Sequence, residues 1–504
     1  MNKALPAAAA FLLNGAALAA QSPRPNVILF VVDDMGPMDT SLPFLADSCG
    51  RPQRFPLNDW YHTPRMERFA QEGVRFSQFY AQSVSSPSRV SLLTGQNAAR
   101  HRTTNWIRSE YDNRDDYGPY DWNWQGIRAT DYTLPRLLRE AGYRTIHVGK
   151  AHLGPVGSEG EFPENLGFDV NIAGSSIGEP GSYLGENGYG AIRGTSSRAV
   201  PGLEKYHGSG TFLTEALTLE ALAQIDRAAD DGVPFFLYLS HYAVHNPFET
   251  DRRFEARYLQ DSLKSLKSRS AIGYATLVEG MDKSLGDVLD HLRLRGLAEN
   301  TLVVFLGDNG GDAPLGPARG WASSAPLRGK KGSEFEGGIR VPCIIGWAAP
   351  GGGMQLLPVA RGTLQTQVAC IMDIYPTLMR LVGVSVPEDH PVDGQDLGVL
   401  LTGKKDPARE EVFMCHFPHR HRGSYYTTYR NGPWKLIYYY NPAHPELPQS
   451  VLFNLEEDPY ETTDVSGLHP GITARLLKEM TARLERERAA YPVDFEGRPI
   501  PPRP

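Results

Sequence analysis

A continuous apolar run near the start of the chain constrains the fold more than any other stretch. Residues 26–32 read Asn-Val-Ile-Leu-Phe-Val-Val, with no charged side chain and three β-branched valines among them. Such a run predicts a strand buried on both faces, as the strands of parallel sheets are. Asp33 and Asp34 follow it directly. We therefore expect a sheet that is covered by helices on both sides.

Helix and strand patterns alternate after this run. Amphipathic helices are predicted at 63–73, 133–142, 211–230 and 271–295, and each precedes a strand-like run, at 74–80, 143–148, 234–239 and 301–306. This alternation predicts an α/β fold, a mostly parallel sheet flanked by helices. Past about residue 405 the pattern changes to short strands at 411–414, 424–429, 434–440 and 451–454, with a charged helix inside 468–491. We predict a main domain at 21–404 and a smaller α+β subdomain, with an antiparallel sheet, at 405–504.

The N-terminus and the composition bear on where the protein acts. Residues 1–20 combine Lys3, an apolar Ala/Leu/Phe run and small residues at the end, which predicts a secretory signal peptide and export to the periplasm or the extracellular space. No later stretch reaches transmembrane length, so no membrane span is expected. A net charge of −7 gives no indication of a nucleic-acid partner. The four cysteines are far apart, and both disulfides and free buried thiols remain open.

Polar and charged residues follow four of the predicted strands. These are Asp33 and Asp34; Lys150 and His152; His241 and His245; and Asp308 and Asn309. A single such residue after a strand is usually structural or solvated, but four strand ends together indicate a site at the carboxyl edge of the sheet. We interpret Asp33 and Asp34 as ligands of a hard divalent cation, the alternative being an acidic solvated turn.

The segment 85–95, Ser-Ser-Pro-Ser-Arg-Val-Ser-Leu-Leu-Thr-Gly, is predicted to be a polar turn that enters a helix. The N–H groups and dipole of a helix N-terminus favour negative charge, so a hydroxyl at Ser85 suits an oxyanion. Arg89 lies one turn further on, and its planar guanidinium suits anionic oxygens. Taken alone, a helix-capping turn explains the segment equally well.

The spacing Ser-x-Pro-Ser-Arg-x-x-x-Leu-Thr-Gly resembles the sulfatase signature, whose first residue, Cys or Ser, is oxidised to formylglycine after synthesis. Residues 327–342 resemble a second sulfatase signature, and 373–377 resemble the family's closing core helix. The resemblance extends along nearly the whole chain after the signal peptide. It implies the alkaline-phosphatase-like fold and the hydrolysis of sulfate esters. The Ser form at Ser85 resembles bacterial sulfatases that are matured by a radical-type (anaerobic) enzyme.

The resemblance also implies roles for individual residues. One Ca²⁺ per chain would be bound by Asp33, Asp34, Asp308, Asn309 and oxidised Ser85. Arg89 would orient the nucleophile, Lys150 and Lys331 would bind sulfate oxygens, His152 would accept the proton that triggers sulfate release, and His245 with Lys331 would protonate the leaving alcohol. We choose Lys331 over Lys330 because it precedes Gly332, as in the family pattern. Ser175 or Ser176 could add a further polar contact.

The substrate is expected to be a sulfated carbohydrate. Residues 97–101, with Asn105 and Trp106, resemble carbohydrate sulfatases, and the expected sugar is an O-sulfated galactose or N-acetylgalactosamine of a host or algal glycan. Trp122 and Trp124, in the insertion 107–128, are candidates for stacking on sugar rings or for loop packing. A basic cluster within 416–422 could meet an anionic glycan or be a solvated loop. Two other functions remain open: a phosphatase or phosphodiesterase of the same fold, and a non-catalytic glycan-binding relative in which Ser85 stays Ser.

Overall fold

The computed structural model describes residues 24–192, 194, 196–260, 268–316, 322–447 and 449–503, so the predicted signal peptide lies outside it. The strands are β1 Asn26–Val32, β2 Gly73–Phe76, β3 Phe79–Tyr80, β4 Arg144–Gly149, β5 Val170–Ile172, β6 Phe235–His241, β7 Thr301–Gly307, β8 Cys343–Trp347, β9 Thr363–Gln365, β10 Ala369–Cys370, β11 Val412–Phe417, β12 Tyr426–Asn431, β13 Trp434–Tyr439 and β14 Gln449–Asn454. The α-helices are α1 Pro56–Trp60, α2 Pro64–Glu72, α3 Ser85–Thr94, α4 Ala98–His101, α5 Leu134–Glu140, α6 Leu213–Asp230, α7 Glu255–Gln260, α8 Arg269–Leu294, α9 Glu336–Ile339, α10 Ile374–Val382, α11 Gly398–Leu401 and α12 Pro470–Glu487.

Eight strands form the main sheet, in the order β5-β4-β6-β1-β7-β8-β2-β9. The pairings are parallel except those that β8 makes with β7 and β2. Strand β1 lies near the centre, between β6 and β7, and all seven of its residues are buried. The predicted mostly parallel α/β sheet is therefore confirmed.

The two faces of β1 contribute to two separate hydrophobic cores. Val27, Leu29 and Val31 pack into one core, which includes residues of α3, α5 and α10. The alternate residues Ile28, Phe30 and Val32 pack into the other, which includes residues of α2, α6 and α8. Successive strand residues point to opposite faces, so the apolar run supplies both cores. The sheet is thus covered by helices on both sides, as expected.

Strands β11 to β14 form an antiparallel sheet of four strands in sequence order. Helix α12 packs on it through Leu476, Met480 and Leu484, which share a core with Leu436 and Leu452. The predicted C-terminal antiparallel sheet and helix are therefore present. Within the described ranges, no helix combines the length and the apolar character needed to cross a bilayer.

One predicted strand is divided in two. The run 74–80 forms β2 in the main sheet and β3, which pairs with β10 outside it. The break falls at Ser77 and Gln78, whose side chains donate hydrogen bonds to the carbonyls of Gln365 and Thr366. The four cysteines are free thiols, and the three that follow Cys49 are buried.

Candidate active site

The carboxyl ends of β1, β4, β6 and β7 meet at one edge of the main sheet. The residues after β1 are tied to the neighbouring strand ends: the Asp33 N–H donates to the Ala243 carbonyl (2.9 Å), and the Asp308 N–H donates to the Val32 carbonyl (3.1 Å). The residue after β4 is Lys150, which is fully buried. The parallel register therefore brings together side chains that are far apart in the sequence, as the strand ends predicted.

Ser85 lies at the first position of α3, where the helix N-terminus meets this edge. Its Oγ is 3.0 Å from Asp33 Oδ1 and 3.2 Å from Asn309 Oδ1. The Nζ of Lys150 donates to the same Oγ at 3.2 Å. The hydroxyl thus lies between a cation, acidic oxygens and a helix N-terminus, an environment that suits an anionic oxygen.

Three buried carboxylates lie beneath Ser85. Asp33, Asp34 and Asp308 each place an oxygen within 4.8 Å of the others. Burial raises the pKa of Asp33 to about 8, although Lys150 Nζ lies 2.7 Å away and acts in the opposite direction. Burial would also raise the pKa of Asp34. The charge of Lys331, 2.7 Å away, outweighs burial with the help of His245 and Lys150, and the pKa of Asp34 is held well below its usual range.

The donor set around this cluster fits a hard divalent cation. Asn309 donates from Nδ2 to Asp34 Oδ1 (2.9 Å), which leaves its Oδ1 on the side of Ser85. Three carboxylates, one amide oxygen and one hydroxyl oxygen are the ligand types that Ca²⁺ and Mg²⁺ prefer. Carboxylates buried this close together repel one another unless a cation lies between them.

Arg89 is fully buried behind the cluster. Its Nη1 donates to the carbonyl of Lys150 at 3.2 Å and also to the Ser240 hydroxyl. Its Nη2 lies 3.6 Å from Asp33 Oδ1. Burial acts against the charged form, but Asp308, Tyr238 and Asp33 outweigh it and raise the pKa of the guanidinium. Arg89 is therefore a permanent cation that fixes the positions of the acidic residues and of Lys150.

His152 lies on the cavity side of Lys150. Its Nε2 donates to the Ile107 carbonyl at 2.6 Å, and within the described residues its buried Nδ1 has no hydrogen-bond partner. This contact fixes the neutral tautomer with the proton on Nε2 and leaves Nδ1 basic. Burial, followed by the charge of Lys150, lowers the pKa of His152 well below its usual value. The ring is therefore neutral in the free protein, and Nδ1 is the nitrogen with a free lone pair.

Lys331 and His245 lie on the other side of the acidic cluster. Burial acts to lower the pKa of Lys331, but the negative charges of Asp34 and Asp33 outweigh burial and raise it. Lys331 therefore keeps its proton. The Nε2 of His245 is 3.5 Å from Asp34 Oδ2. Burial and Lys331 lower the pKa of His245 to about 3. Of the two candidate lysines, the structure thus places Lys331 at the cluster, whereas Lys330 pairs with Asp312 at 2.9 Å and is half exposed.

A cavity of about 360 Å³ opens above these residues. Ser85, Lys150, His152, His245 and Lys331 form its floor, and Asp33, Asp34, Asp308, Asn309 and Arg89 lie behind them. Its walls come from the insertions: Trp106, Arg108 and Glu110 from one, and Glu179 and Arg198 from another. Trp106 belongs to the segment that resembles carbohydrate sulfatases. Arg108, Glu110, Glu179 and Arg198 were not predicted as site residues, because nothing in their local sequence distinguishes them from other loop residues.

Several suggested residues lie outside this cavity. Trp122 is buried and packs edge-on against His419, so loop packing explains it, and among the described tryptophans Trp106 lines the cavity. Of the basic cluster at 416–422, only His421 and Arg422 are among the lining residues, since His416 and His419 are buried in hydrogen bonds. Ser175 and Ser176 contribute backbone carbonyls to the local structure rather than side chains to the cavity lining.

Two family models match the chain. The model described as Sulfatase matches residues 25–384, which include every residue assigned above to the cavity floor and the acidic cluster. The model described as N-sulphoglucosamine sulphohydrolase, C-terminal, matches residues 331–490.

Individual proteins with known names are also similar. Mouse N-acetylgalactosamine-6-sulfatase is 33% identical over 403 residues, covering 75% of this chain and 67% of that protein. A sulfatase of Formosa agariphila is 29% identical over 504 residues, covering 89% of this chain and 85% of that protein. The solved structure of the protein Ps i-CgsB, 24% identical, superposes with a TM-score of 0.71 over 94% of this chain and 96% of that one. This last likeness concerns the fold alone.

Proposed function

Because the chain belongs to the sulfatase family of sulfuric ester hydrolases, we propose that it hydrolyses O-sulfate esters of carbohydrates in the cavity above Ser85. The observation that carries this proposal is the position of the Ser85 hydroxyl on the cavity floor, 3.2 Å from Lys150 Nζ and 3.0 Å from Asp33. A sulfate group that entered the cavity would meet Ser85 between the ammonium groups of Lys150 and Lys331.

We propose that Ser85 is oxidised to formylglycine and that Asp33, Asp34, Asp308, Asn309 and residue 85 bind one calcium ion. The oxygen-only donor set and the closeness of the three buried carboxylates support the metal assignment. When present, the hydrated formylglycine supplies a nucleophilic oxygen and a second hydroxyl for turnover, and calcium supplies positive charge beside the sulfate oxygens.

The cations of the chain itself bind and orient the sulfate. At the floor, Lys150 is buried and held by Asp33, and Lys331 is partly buried and held by Asp34. Their ammonium groups would each donate to sulfate oxygens, whose charge they balance in the transition state. Arg89 acts behind them, because it holds Asp308 and the backbone of Lys150 in place.

Two groups would handle protons. His152 would accept the proton whose removal triggers sulfate release. It would do so at Nδ1, the nitrogen left free by the hydrogen bond from Nε2 to Ile107. As the bond between sulfur and the sugar oxygen breaks, that oxygen must gain a proton, and we assign this step to Lys331 together with His245. Lys331 is the member of the pair that keeps its proton in the free protein. Overall, water supplies an oxygen to sulfur, and the products are the sugar alcohol and sulfate.

For the substrate we propose an O-sulfated galactose or N-acetylgalactosamine residue of a host or algal glycan. Two observations support a sugar: Trp106 is among the residues that line the cavity, and several relatives are named N-acetylgalactosamine-6-sulfatase. An aromatic ring beside polar groups is a common platform for a sugar ring.

The remaining expectations stand as parts of the same proposal. We propose that residues 1–20 direct export, that the protein acts in the periplasm or outside the cell, and that a radical-type maturing enzyme oxidises Ser85. We also propose residues 21–404 as the catalytic domain and 405–504 as the subdomain that lends His421 and Arg422 to the cavity.

Two rival functions remain to be tested against this one. A phosphatase or phosphodiesterase of the same fold would be expected to have a two-metal site. In the described part of the chain there is one group of metal-type ligands, Asp33, Asp34 and Asp308. The cations Lys150, Lys331 and Arg89 surround it. A non-catalytic glycan-binding protein would have the same cavity but an unmodified Ser85.

The deciding experiment is the mass of the Ser85 peptide after expression with and without a radical-type maturing enzyme, followed by a panel of sulfated and phosphorylated sugars. We expect a loss of two hydrogens at Ser85 only with the maturing enzyme, and sulfate release only by that sample. Ser86 and Ser88, in the same peptide, are internal controls. An unchanged mass, with a maturing enzyme shown to be active on another sulfatase, would favour the binding protein, and phosphate release would favour the phosphatase.

A further inference from the structure

Three arginine–carboxylate pairs surround the mouth of the cavity. Arg422 contacts Asp312 through Nη1 and Nη2, both at 2.6 Å. Arg198 forms an ion pair with Glu179, and Arg108 approaches Glu110 at 3.5 Å. All six residues line the cavity. Both members of each pair are therefore available to the same ligand.

The pairs come from separate parts of the chain. Arg108 and Glu110 belong to the loop after α4, and Glu179 and Arg198 belong to the insertion between β5 and α6. Arg422, from the loop between β11 and β12, reaches Asp312 in the loop after β7, and it also donates to the Lys331 carbonyl at 3.3 Å. Four segments of the chain thus build the mouth: two of them each supply a complete pair, and the other two supply one member each of the Arg422–Asp312 pair.

The mouth and the floor differ in charge. On the floor, Lys150 and Lys331 are cations that a calcium ion would reinforce, and this is where a sulfate would bind. At the mouth each arginine lies beside a carboxylate, and Asp312 also pairs with Lys330, outside the cavity lining, at 2.9 Å. Burial lowers the pKa of His421, which also lines the cavity, to about 4, so that this ring is neutral at neutral pH. Recognition of negative charge is therefore concentrated on the floor.

An arginine–carboxylate pair offers N–H donors next to oxygen acceptors. A sugar hydroxyl is both donor and acceptor, so it can use both members of the pair. A sulfate or carboxylate substituent has only acceptor oxygens at neutral pH, and it would either face the carboxylate or have to break the pair. A negative side chain placed beside a negative substituent weakens binding of the wrong ligand, and this repulsion is a common source of specificity.

Resting on the function proposed above, we propose that the cavity selects a sugar residue whose only anionic group is the sulfate to be removed, and that Glu110, Glu179 and Asp312 exclude a second sulfate on that residue. The three pairs would bind the free hydroxyls of the sugar. A residue that carries two sulfates would then have to lose one to another sulfatase before this protein acts on it.

Binding can be measured without maturation in the Ser85→Ala variant, by calorimetry in calcium-containing buffer. The ligands are N-acetylgalactosamine 6-sulfate, its 4-sulfate and its 4,6-disulfate. We expect the disulfate to bind about tenfold or more weakly than the better monosulfate. Adding Glu179→Gln, or Asp312→Asn should the first variant fail to fold, should reduce this ratio severalfold, because the amide keeps the shape and removes the repulsion. Glu140→Gln is the matched control, since Glu140 also pairs with an arginine, Arg136, but lies outside the cavity lining.

The inference would be overturned by a disulfate that binds as tightly as the better monosulfate, by a ratio that neither charge-removing variant changes, or by the absence of binding of all three sugars. A failure of the proposed function is a different result: matured protein that releases no sulfate from any sugar, whatever the binding ratio of the Ser85→Ala variant.

Discussion

Arg89 contacts Asp308 through two nitrogen atoms that share one carboxylate oxygen: Nε and Nη2 lie 2.9 Å and 2.8 Å from Oδ2. The other oxygen, Oδ1, accepts the backbone N–H of Asp34 at 3.0 Å. Both groups are fully buried. One arginine thus fixes an acidic residue that in turn fixes the next one, so the geometry of the proposed metal site depends on the shape of the guanidinium and not on its charge alone.

Arg89→Lys keeps the charge but cannot reproduce these contacts. We expect kcat for sulfate release by the matured enzyme to fall about 100-fold or more. Arg409→Lys is the control, because Arg409 forms another buried ion pair, with Asp373, outside the cavity lining. That variant should lose stability while each folded molecule keeps its kcat. Equal losses of kcat in the two variants would mean that Arg89 acts only through stability.

Calcium should stabilise the folded protein through the acidic cluster. A ligand present at 100 times its dissociation constant adds about 2.7 kcal/mol to the free energy of unfolding. We therefore expect the thermal midpoint to rise when calcium is added after chelation, and Asp34→Asn to abolish most of that rise. Asp282→Asn is the control: Asp282 is buried and accepts the N–H groups of Arg65 and Met66, away from the cluster. A calcium response that survives in Asp34→Asn would place the ion elsewhere.

His152 and His245 are assigned opposite proton transfers, and two substrates separate them. An aryl sulfate has a good leaving group that needs little protonation, whereas a sugar sulfate needs a proton on the departing oxygen. His245→Ala should therefore reduce kcat/KM for a sugar sulfate far more than for 4-nitrocatechol sulfate. His152→Ala should reduce both similarly, by about 100-fold or more.

His62→Ala serves as a control for these two variants, since His62 pairs with Glu279 on a partly exposed surface and does not line the cavity. If His245→Ala reduced the two activities by the same factor, His245 would have no special role at the leaving group. Measuring both substrates on the same preparation removes differences in the extent of maturation.

The sequence predicted those parts of the site that the parallel sheet itself dictates. Asp33, Lys150 and Asp308 follow buried strands, and parallel strands end at a common edge, so their proximity followed from the pattern alone. Ser85 and Arg89 were given roles because the spacing of residues 85–95 resembles the sulfatase signature; taken alone, the segment is explained equally well by a helix-capping turn. The choice between Lys330 and Lys331 rested on resemblance, and the structure places Lys331 at Asp34.

The cavity walls could not be predicted in the same way. Glu179 and Arg198 lie in an insertion with little regular structure. Neither a hydrophobic period nor a capping pattern there indicates which side chains face the cavity. Trp122 and Trp106 look alike in the sequence, yet one is buried against His419 and the other lines the cavity. Which loop side chain faces a cavity depends on packing between distant segments, as the contact of Arg422 with Asp312 illustrates.

A buried charge triad between α9 and the C-terminal sheet should make stability depend on pH. Lys435 on β13 lies 3.1 Å from Glu336 and 2.6 Å from Glu461, so one cation faces two carboxyl groups. Burial alone would raise the pKa of both Glu336 and Glu461. For Glu461 it prevails over Lys435 and raises the pKa to about 7, whereas for Glu336 the attraction of Lys435, Arg340 and Arg430 prevails and lowers the pKa to about 2.

A carboxyl group whose pKa is raised by folding stabilises the protein when it is protonated, and that contribution is lost as the pH rises from its unfolded value, near 4.5, through about 7. Glu461→Gln imitates the protonated form and keeps an oxygen for the Glu336 N–H, which Glu461 accepts at 2.7 Å. The variant should therefore match the wild type near pH 4.5 and exceed its free energy of unfolding by about 1 to 3 kcal/mol at pH 8.5.

Urea unfolding of both proteins across this pH range measures the difference between their free energies of unfolding. The contributions of the other titrating groups cancel in that difference. Glu140→Gln, at an exposed ion pair, should show no such trend. A difference that is constant or shrinks with rising pH would mean that Glu461 is already ionised in the folded protein at acid pH, and that Lys435 neutralises both carboxylates together.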